Sequence, residues 1–590
     1  MYRTHHCNEL RAEHIGKEVT LAGWVASRRD HGGVIFIDLR DREGLTQVVF
    51  RPDEFPDIAK EAHALHDEEV IQVSGLVAKR LEGTSNPKLA TGEVEVVAAK
   101  LIILNRCAPL PFQLNAALSN EDLRLTYRYL DLRRPAMTRQ LKTRHVLNRA
   151  TREYLDRNGF LEIETPILSK STPEGAREFL VPSRLIPSHF YALAQSPQQY
   201  KQLLMVGGVE KYFQIAKCFR DEDPRADRIT ELTQIDIEAS FIEVGDIFRL
   251  VEGLLRDIFL ATRNVDISLP FLRLTYQEAM NRFGSDKPDL RFATELVELS
   301  DLFRETQFKV FRSALGQGGV VKAINAKRFA SITTGQIEDL TNLAKLSGAK
   351  GLVFIKVENG EWKSPIVKFF SASEKIELQQ RLEIEEGDLI LFGADSWEVV
   401  CTVLGRIRLK VAELTGLITD LDALRFLWVT DFPLMGFDVA ENKWNAMHHP
   451  FTRPKAEDLP LLEQGEFGKV RAEAYDVVLN GVEIGGGSLR IHERDLQQRI
   501  FVALGISVEQ QKRLFRHLLE AFSFGTPPHG GIALGVDRLL MLITNTSNIR
   551  DVIAFPKNSR GQDLMMDAPS TVAPNQLRDL HLSLKKANGA

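Results

Sequence analysis

The sequence predicts an α+β chain with a small all-β domain at its front, and three observations carry that prediction. Residues 19–104 break into five short β-patterned segments with one helical stretch among them. Residues 190–270 mix strands and helices without a strict βαβ rhythm, which favours an antiparallel sheet over a doubly wound one. Residues 290–420 carry strands and helices of their own between two motif-bearing stretches, as an inserted α/β domain would.

With domains of about 150 residues, a 590-residue chain has room for roughly four. Its 44% hydrophobic and 26% charged residues match a globular balance and exclude disordered, collagenous or disulfide-stapled classes. The net charge of −5 supplies no general basic field, so any RNA-binding surface must be local. Cys7, Cys107, Cys218 and Cys401 form no CxxC pair, which argues against a zinc ribbon or a disulfide framework. The polar start lacks a signal peptide's apolar core, and no apolar run approaches the roughly 20 residues of a membrane helix. A reducing cytoplasm and no membrane partner are expected.

At the front, Val19–Val25, Val34–Arg40 and Leu45–Phe50 read as strands, separated by Asp30-His31-Gly32-Gly33 and Arg42-Glu43-Gly44. A helix near 57–68 and strands Val70–Leu76 and Gly92–Leu104 follow. Five strands with a helix between the third and fourth is the order of an OB-fold barrel. With 14 Lys+Arg against 17 Asp+Glu over residues 1–110, the barrel is slightly acidic, so strand order alone supports RNA binding only weakly.

Residues 106–135 read as a linker after a first domain at 1–105. A helix over Pro135–Asn158 ends at Gly159, and Phe160–Thr165 alternates as a half-buried strand that Pro166 confines to an edge. The remaining boundaries are 136–289, the insertion 290–420 and 421–590. Within the insertion, strands are expected at Gly351–Val357 and Asp388–Phe392, and helices near 336–347 and 372–382.

Three constellations carry chemistry. In Leu232-Thr233-Gln234-Ile235-Asp236-Ile237-Glu238-Ala239, strand alternation puts Gln234, Asp236 and Glu238 on one face. It follows Phe219-Arg220-Asp221-Glu222, where Arg220 can fork onto a phosphate or carboxylate; a solvated strand face with surface ion pairs is the plain alternative. Asn480-Gly481 then marks a two-residue hairpin, placing Leu479 opposite Val482 and Val478 opposite Glu483. Asp476 and Glu483 share a face roughly 7–8 Å apart and can share Mg²⁺, unless they are merely solvent-facing acids. Third, Gly535-Val536-Asp537-Arg538 opens a helical pattern after a glycine-rich strand, without a P-loop lysine, resembling a strand-to-helix junction at a nucleotide. A glycine turn before a core helix is its plain alternative. His448-His449 would face opposite ways in a strand and lacks metalloprotease spacing, so one polar ligand contact is favoured over zinc, and a structural histidine over both on the pattern alone.

In this order the segments resemble the class II aminoacyl-tRNA synthetases, specifically those of bacterial aspartate type. Phe160–Pro166 is similar to motif 1, the dimer element; Phe219–Glu222 to motif 2; Gly535–Arg538 to motif 3. The barrel resembles the anticodon-binding domain, and the insertion with Gly393-Ala394-Asp395 resembles the GAD domain.

The resemblance implies ATP-dependent activation of L-aspartate to the adenylate, then transfer to the 3′ end of tRNA(Asp). It implies a cytoplasmic homodimer with Mg²⁺. Arg220 would bridge aspartate and the α-phosphate, and Glu222 would meet the adenine. Asp221, Gly535, Val536, Asp537 and Arg538 would complete the ATP site, with Arg538 at the γ-phosphate end. Asp476 and Glu483 would hold Mg²⁺. Lys201 and Arg490 would select the side-chain carboxylate; Glu174, Gln198 and Asp236 would take the ammonium; His448 and His449 would close on the amino acid. Ile229 departs from a glutamine expected against ATP.

In the barrel, Phe36 would stack on an anticodon base, with Arg28, Gln47 and Glu93 as polar readers. A core barrel residue is the plain alternative for Phe36. His31 and Gly83 resemble relatives that charge both tRNA(Asp) and tRNA(Asn), which predicts a non-discriminating enzyme; an enzyme restricted to tRNA(Asp) is the alternative. Rivals are an asparagine or lysine synthetase, an inactive RNA-binding paralogue and a metal hydrolase using His448 and His449.

Overall fold

The computed structural model describes residues 2–116, 118–172, 177–223 and 228–585. The chain divides into two compact units, each with its own core. One comprises Met1–Lys142, Ala554–Asn558 and Gln562–Pro569; the other comprises Thr143–Ile553, Ser559–Gly561 and Ser570–Ala590.

In the first unit, β1 (Glu18–His31), β2 (Val34–Arg40), β3 (Leu45–Phe50), β4 (Val70–Lys79) and β5 (Val94–Asn105) close a barrel in the order β1-β2-β3-β5-β4. Alternation builds it: Ile35, Ile37 and Leu39 are buried inside, with Val25, Val48, Val73 and Val96, while Phe36 and Asp38 turn outward. Strand β1 outruns its predicted end at Val25. Its polar tail still pairs with β2, Arg29 against Phe36 and His31 against Val34.

Helix α1 (Pro56–His63) stops short of the predicted residue 68. Glu68 is buried there and takes both ends of the Arg40 guanidinium at 2.8 and 2.7 Å, an interaction a helical turn would not deliver. The predicted linker is folded. It carries α2 (Glu121–Thr126), α3 (Arg128–Asp131) and an apolar cluster of Phe112, Leu114 and Leu130, and the buried Asp131 accepts from Arg128 at 2.5 Å.

Helix α4 (Pro135–Arg157) starts in the first unit and ends in the second, which continues with β6 (Leu161–Glu162), a small sheet of β7 (Leu168–Ser169), β8 (Leu180–Pro182) and β9 (Phe190–Leu193), and α5 (Gln198–Val206). Next come β10 (Lys211–Phe219), β11 (Glu231–Ser240), α6 (Val244–Arg263), β12 (Leu272–Thr275) and α7 (Tyr276–Phe283). The expected half-buried strand at 160–165 shrinks to β6, and Leu161 is 57% exposed. Only Leu161 and Glu162 pair with β10, in parallel, before the chain leaves the ladder ahead of Pro166. The edge position itself holds.

The insertion runs through β13 (Val297–Glu298), α8 (Lys309–Gly316), β14 (Val320–Ala326), α9 (Thr334–Leu346), β15 (Val353–Glu358), β16 (Glu361–Lys363), α10 (Ala372–Arg381), β17 (Leu389–Asp395) and α11 (Trp397–Thr415). Its sheet, ordered β13-β14-β17-β15-β16, has an apolar cluster on each face. The chain then gives β18 (Phe426–Thr430), β19 (Met435–Asp438), β20 (Lys443–Ala446), α12 (Leu459–Glu463), β21 (Ala474–Leu479), β22 (Val482–Leu489), α13 (Arg494–Ala503), α14 (Val508–Ala521), β23 (His529–Gly535) and α15 (Val536–Ile543).

Strands before and after the insertion form one eight-stranded sheet, β12-β18-β21-β22-β23-β11-β10-β6, antiparallel except at its two edges. One face packs on α4, α6 and α15 through Ile235, Ile237, Val477, Ile532 and Leu534. The other face carries the polar side chains.

Within the insertion, buried Asp388 accepts from the Arg328 and Glu385 backbone N–H groups at 3.0 and 2.9 Å, and from Asn325 at 2.8 Å. Burial pushes its pKa up, but these hydrogen bonds more than offset that and hold it below the ordinary value. Asp388→Asn should therefore destabilise this domain by about 1.5–3 kcal/mol at pH 7. The stabilisation is complete above an unfolded pKa of about 3.9 and is lost as pH falls through the lower folded value. Amide exchange of β14 and β17 should show the deficit at pH 7, and acid unfolding should show the two proteins converging below pH 4 or so.

Candidate active site

Strand β11 sets the site. Ile235, Ile237 and Ala239 enter the core, so Gln234, Asp236 and Glu238 point the other way, and both carboxylates are fully buried rather than solvated. The facing strand has small residues opposite them: Asp236 pairs with Ala533 and Glu238 with Gly531. A Cβ on Gly531 would lie 2.1 Å from Glu238 Oε2, so this glycine makes room for the acid.

Two buried cations meet these acids. Helix α5 delivers Lys201, whose Nζ donates to Asp236 Oδ1 at 2.6 Å and lies 3.2 Å from Glu238 Oε2. Arg490, just past β22, donates to both Glu238 oxygens at 3.0 and 3.1 Å and to Ser488 Oγ at 2.7 Å. Burial raises Asp236 despite Lys201, whereas for Glu238 the charges of Arg490 and Lys201 outweigh burial and lower it. Glu238 stood on the polar face in the sequence, but only its partners reveal its part in the site.

These groups border a cavity of about 540 Å³, which also takes in Gln198, Arg220, Glu222, His448, His449, Asp476, Glu483, Gly535, Asp537 and Arg538. Gln198 Nε2, Asp236 Oδ2 and His448 Nδ1 are buried there without a hydrogen-bond partner. Ile229 lines the cavity too and rests on the main core. Asp221 and Val536 do not line it: the Asp221 backbone N–H donates to the Arg177 carbonyl, and the Val536 side chain is buried in the core. Glu174 lies outside the described residues. Glu222 accepts from Arg228 at 2.6 Å, an arginine of the cavity wall that the motif reading missed. Asp537 accepts from the Thr233 backbone N–H at 2.9 Å and from Arg144, bracing the start of α15.

The histidines do not sit in a strand. They follow β20 in a loop, so the expectation of opposite faces fails and both line the cavity. His449 Nε2 accepts from Arg490 Nη1 at 2.6 Å, and burial and that arginine hold its pKa well below the ordinary value. His448 Nε2 lies 3.6 Å from Asp476 Oδ1; burial lowers its pKa, but Asp476 and then Glu483 more than compensate. Among the described residues no group of three or more His, Cys, Asp or Glu is arranged to hold a metal.

The hairpin forms as expected at its tip, Leu479 against Val482 and Val478 against Glu483, and then shifts by a bulge so that Asp476 stands opposite Gly486. Both carboxylates converge over Gly486, where a Cβ would be 2.6 Å from Asp476 Oδ1 and 3.7 Å from Glu483 Oε1. Burial and the neighbouring Asp476 raise the Glu483 pKa, a pairing that a shared cation relieves. Two carboxylates open to a substrate-sized cavity suit Mg²⁺, which takes few protein ligands and completes its shell with phosphates and water. Arg538 donates to the Glu483 carbonyl at 3.1 Å at the same end.

On the barrel, Phe36 is half-exposed on the outer face, so it is no core residue, and its ring meets that of His31 edge-on with centroids 5.8 Å apart. Arg29, not Arg28, pairs opposite Phe36, and it donates to Asp38 at 2.8 Å and to Gln47 at 3.5 Å. Gln47 donates to Glu95 at 2.9 Å. Arg28 pairs opposite the inward-facing Ile37, and Glu93 is exposed just ahead of β5; the polar row beside Phe36 is Arg29, Asp38, Gln47 and Glu95. Gly83 has φ +81° with open space around it, a turn conformation that glycine adopts without strain.

A closed five-stranded barrel, and an antiparallel sheet whose polar face holds a charged cavity, together define a nucleotide-using class II synthetase with an OB-fold appendage. Residues 120–559 match the family model of class II tRNA synthetases (D, K and N), and residues 19–104 match the OB-fold nucleic acid binding domain. The chain belongs to the class II tRNA synthetases (D, K and N).

It is 56% identical over 584 residues to the aspartate–tRNA(Asp/Asn) ligase of Methylacidiphilum infernorum, covering 99% of this chain and 97% of that protein. Against the ligase of the same name from Opitutus terrae it is 54% identical, covering 99% of each. Among solved structures, asparaginyl-tRNA synthetase from Pyrococcus horikoshii with asparaginyl-adenylate superposes with TM-score 0.59 at 20% identity, covering 94% of this chain and 98% of that one. Aspartyl tRNA synthetase from Entamoeba histolytica gives 0.56 at 19%, covering 93% and 90%. Among the described residues no helix is long and apolar enough to cross a membrane.

Glu238→Gln should leave Lys201 and Arg490 buried with half their counter-charge. A loss of about 3–5 kcal/mol is expected in urea unfolding of the second unit. An unchanged midpoint would show that the cluster does not depend on Glu238.

Proposed function

We propose that the chain is an ATP-dependent ligase that activates L-aspartate to aspartyl-adenylate and transfers it to tRNA(Asp) and tRNA(Asn). The observation that carries the amino-acid reading is the pair of buried cations bordering the cavity. Lys201 has three N–H donors, gives one to Asp236 and lies 3.2 Å from Glu238; Arg490 has five and spends four on Glu238, Ser488 and His449. At least one donor on each remains for a side-chain carboxylate. An amide would turn its own N–H groups on one of them, which disfavours asparagine. Asp236 Oδ2 and the Gln198 amide suit the substrate ammonium.

In the first step an α-carboxylate oxygen of aspartate forms a bond to the α-phosphorus while the bond to pyrophosphate breaks. Arg220 would fork across the carboxylate and the α-phosphate, and Arg538 would lie along the γ-phosphate, so the chain acts by positioning and by charge stabilisation. Asp476 and Glu483 would hold Mg²⁺, which supplies charge neutralisation on the phosphates. In the second step the tRNA 3′-terminal hydroxyl attacks the activated carbonyl and AMP leaves. Glu222 beside Arg228 suits the adenine. A homodimer through α4, β6 and the start of β7, where Leu161, Ile167 and Leu168 are 57%, 46% and 48% exposed, belongs to the same proposal.

On the barrel, Phe36 would stack on a base and the row from Arg29 to Glu95 would read edges. The Asp and Asn anticodons differ at their last base, C against U, which exchanges a donor for an acceptor. The exposed His31 beside Phe36 can present either.

Aspartate charging of tRNA(Asp) and tRNA(Asn) transcripts should reach comparable plateaus. Charging of tRNA(Asp) alone would overturn the wider specificity, and charging of neither would overturn the activity. His31→Leu should lower kcat/KM for tRNA(Asn) more than for tRNA(Asp); equal loss would remove His31 from the choice. Gly486→Ala, which forces a methyl onto Asp476, should cut pyrophosphate exchange roughly tenfold or more and raise the Mg²⁺ needed for half-maximal rate.

A further inference from the structure

The insertion meets α7 and the cavity wall after it through helix α11, and Lys322 of β14 adds a hydrogen bond to Asn281 Oδ1 at 3.0 Å. On α11, Trp397, Cys401, Gly405 and Arg408 are spaced to form one stripe, and the stripe lies along α7 and the segment that follows it. Trp397 Nε1 donates to Asn281 Oδ1 at 2.7 Å, and its ring is 6.4 Å from that of Tyr276, which lines the cavity. At Gly405 the backbones touch: a Cβ there would be 2.1 Å from the Gly284 carbonyl oxygen.

Arg408 is fully buried and donates to three backbone carbonyls, Asp289 at 2.8 Å, Phe292 at 3.1 Å and Thr294 at 2.5 Å. Its guanidinium lies 3.9 Å over Phe292 and 5.1 Å over Phe283, and burial pushes its pKa down to about 10. A buried arginine spent on carbonyls is costly unless the backbone it holds must keep one path.

That path leads to the nucleotide end. Asp286 lines the cavity with Asp476, Glu483 and Arg538. Asp289 packs on the hairpin turn that joins the two carboxylate-bearing strands: a Cβ on Gly481 would stand 3.0 Å from Asp289 Cβ. The aspartate end rests instead on α5, β11 and β22. Resting on the activity proposed above, we infer that α11 of the insertion positions the 284–294 segment, with Arg408 as the positioning residue, and so sets affinity for ATP·Mg²⁺ without setting affinity for aspartate.

Pyrophosphate exchange tests this with Arg408→Lys, which cannot span three carbonyls, and Gly405→Ala, which pushes α11 off Gly284. Both should raise KM for ATP by roughly fivefold or more while KM for aspartate stays within about twofold. Asp286→Asn should raise the same constant and add little on top of Arg408→Lys. Unchanged KM for ATP in folded variants, or equal rises in both constants, would overturn the inference. Should both variants fail to fold, hydrogen exchange of the wild-type protein decides: ATP·Mg²⁺ should protect 284–294 and aspartate alone should not, and absence of that difference would overturn it. A wild-type protein without pyrophosphate exchange would instead overturn the activity.

Discussion

Four buried charges, Lys201 and Arg490 against Asp236 and Glu238, impose the constraint on which this architecture turns. Isolated, each ion would cost several kcal/mol to bury, and their mutual attraction repays this only with exact satisfaction of donors and acceptors. That demand explains local choices otherwise puzzling. Strand β23 places Gly531 and Ala533 opposite the acids, because a larger side chain at 531 would occupy the space of the Glu238 carboxylate. Ser488 and His449 take the third arm of Arg490, and His449 stays neutral because burial and Arg490 both penalise its charge. Asp236 Oδ2 is left buried without a hydrogen-bond partner, which is where the proposed substrate ammonium would complete the cluster.

The nucleotide end is built on a different principle. There, two carboxylates are brought together, and burial and the neighbouring Asp476 raise the Glu483 pKa despite the charges of Arg538 and Lys287. Arg538 comes no closer than 4.0 Å to the Glu483 carboxylate and spends a hydrogen bond on its backbone carbonyl. The bulge before Gly486 is what permits the convergence: without it Asp476 would oppose a different residue, and without glycine the space between the acids would be filled. One end balances its charges within the protein, and the other gathers negative charge that the proposed Mg²⁺ would offset.

How far this was legible in the sequence follows from the range of the interactions involved. Period-2 alternation is local, so it places Asp236 and Glu238 on one face and Ile35, Ile37 and Leu39 in the barrel core. The Asn480-Gly481 turn is local too, and its first two pairs stand as read. What escaped was non-local. Pairing with β2 continues β1 to His31 through polar residues, and a buried Arg40–Glu68 pair ends α1 early. The 106–135 stretch looked like a linker because Pro109, Pro111 and the charged run from Arg124 to Arg134 interrupt its pattern; its apolar residues find one another only in three dimensions. On the barrel, the register sets Arg29 rather than Arg28 opposite Phe36, because a one-residue step in a strand reverses the face, and the acid that meets Gln47 is Glu95, two residues past Glu93.

The two ends also differ in what supports them. Lys201, Asp236, Glu238 and Arg490, the charges proposed to hold aspartate, stand on or beside regular elements, α5, β11 and the end of β22, whose backbone hydrogen bonds are satisfied internally. The nucleotide wall includes irregular chain from Gly284 to Thr294, and irregular chain needs outside partners for its carbonyls. Arg408 provides three of them from within the insertion. An insertion in this position is therefore a structural donor to the wall that irregular backbone alone could not hold still. Selectivity for a small charged amino acid demands the more regular half, because the discrimination rests on single hydrogen-bond donors. The half that grips a flexible triphosphate can rest on loops, provided that something large and well packed stands behind them.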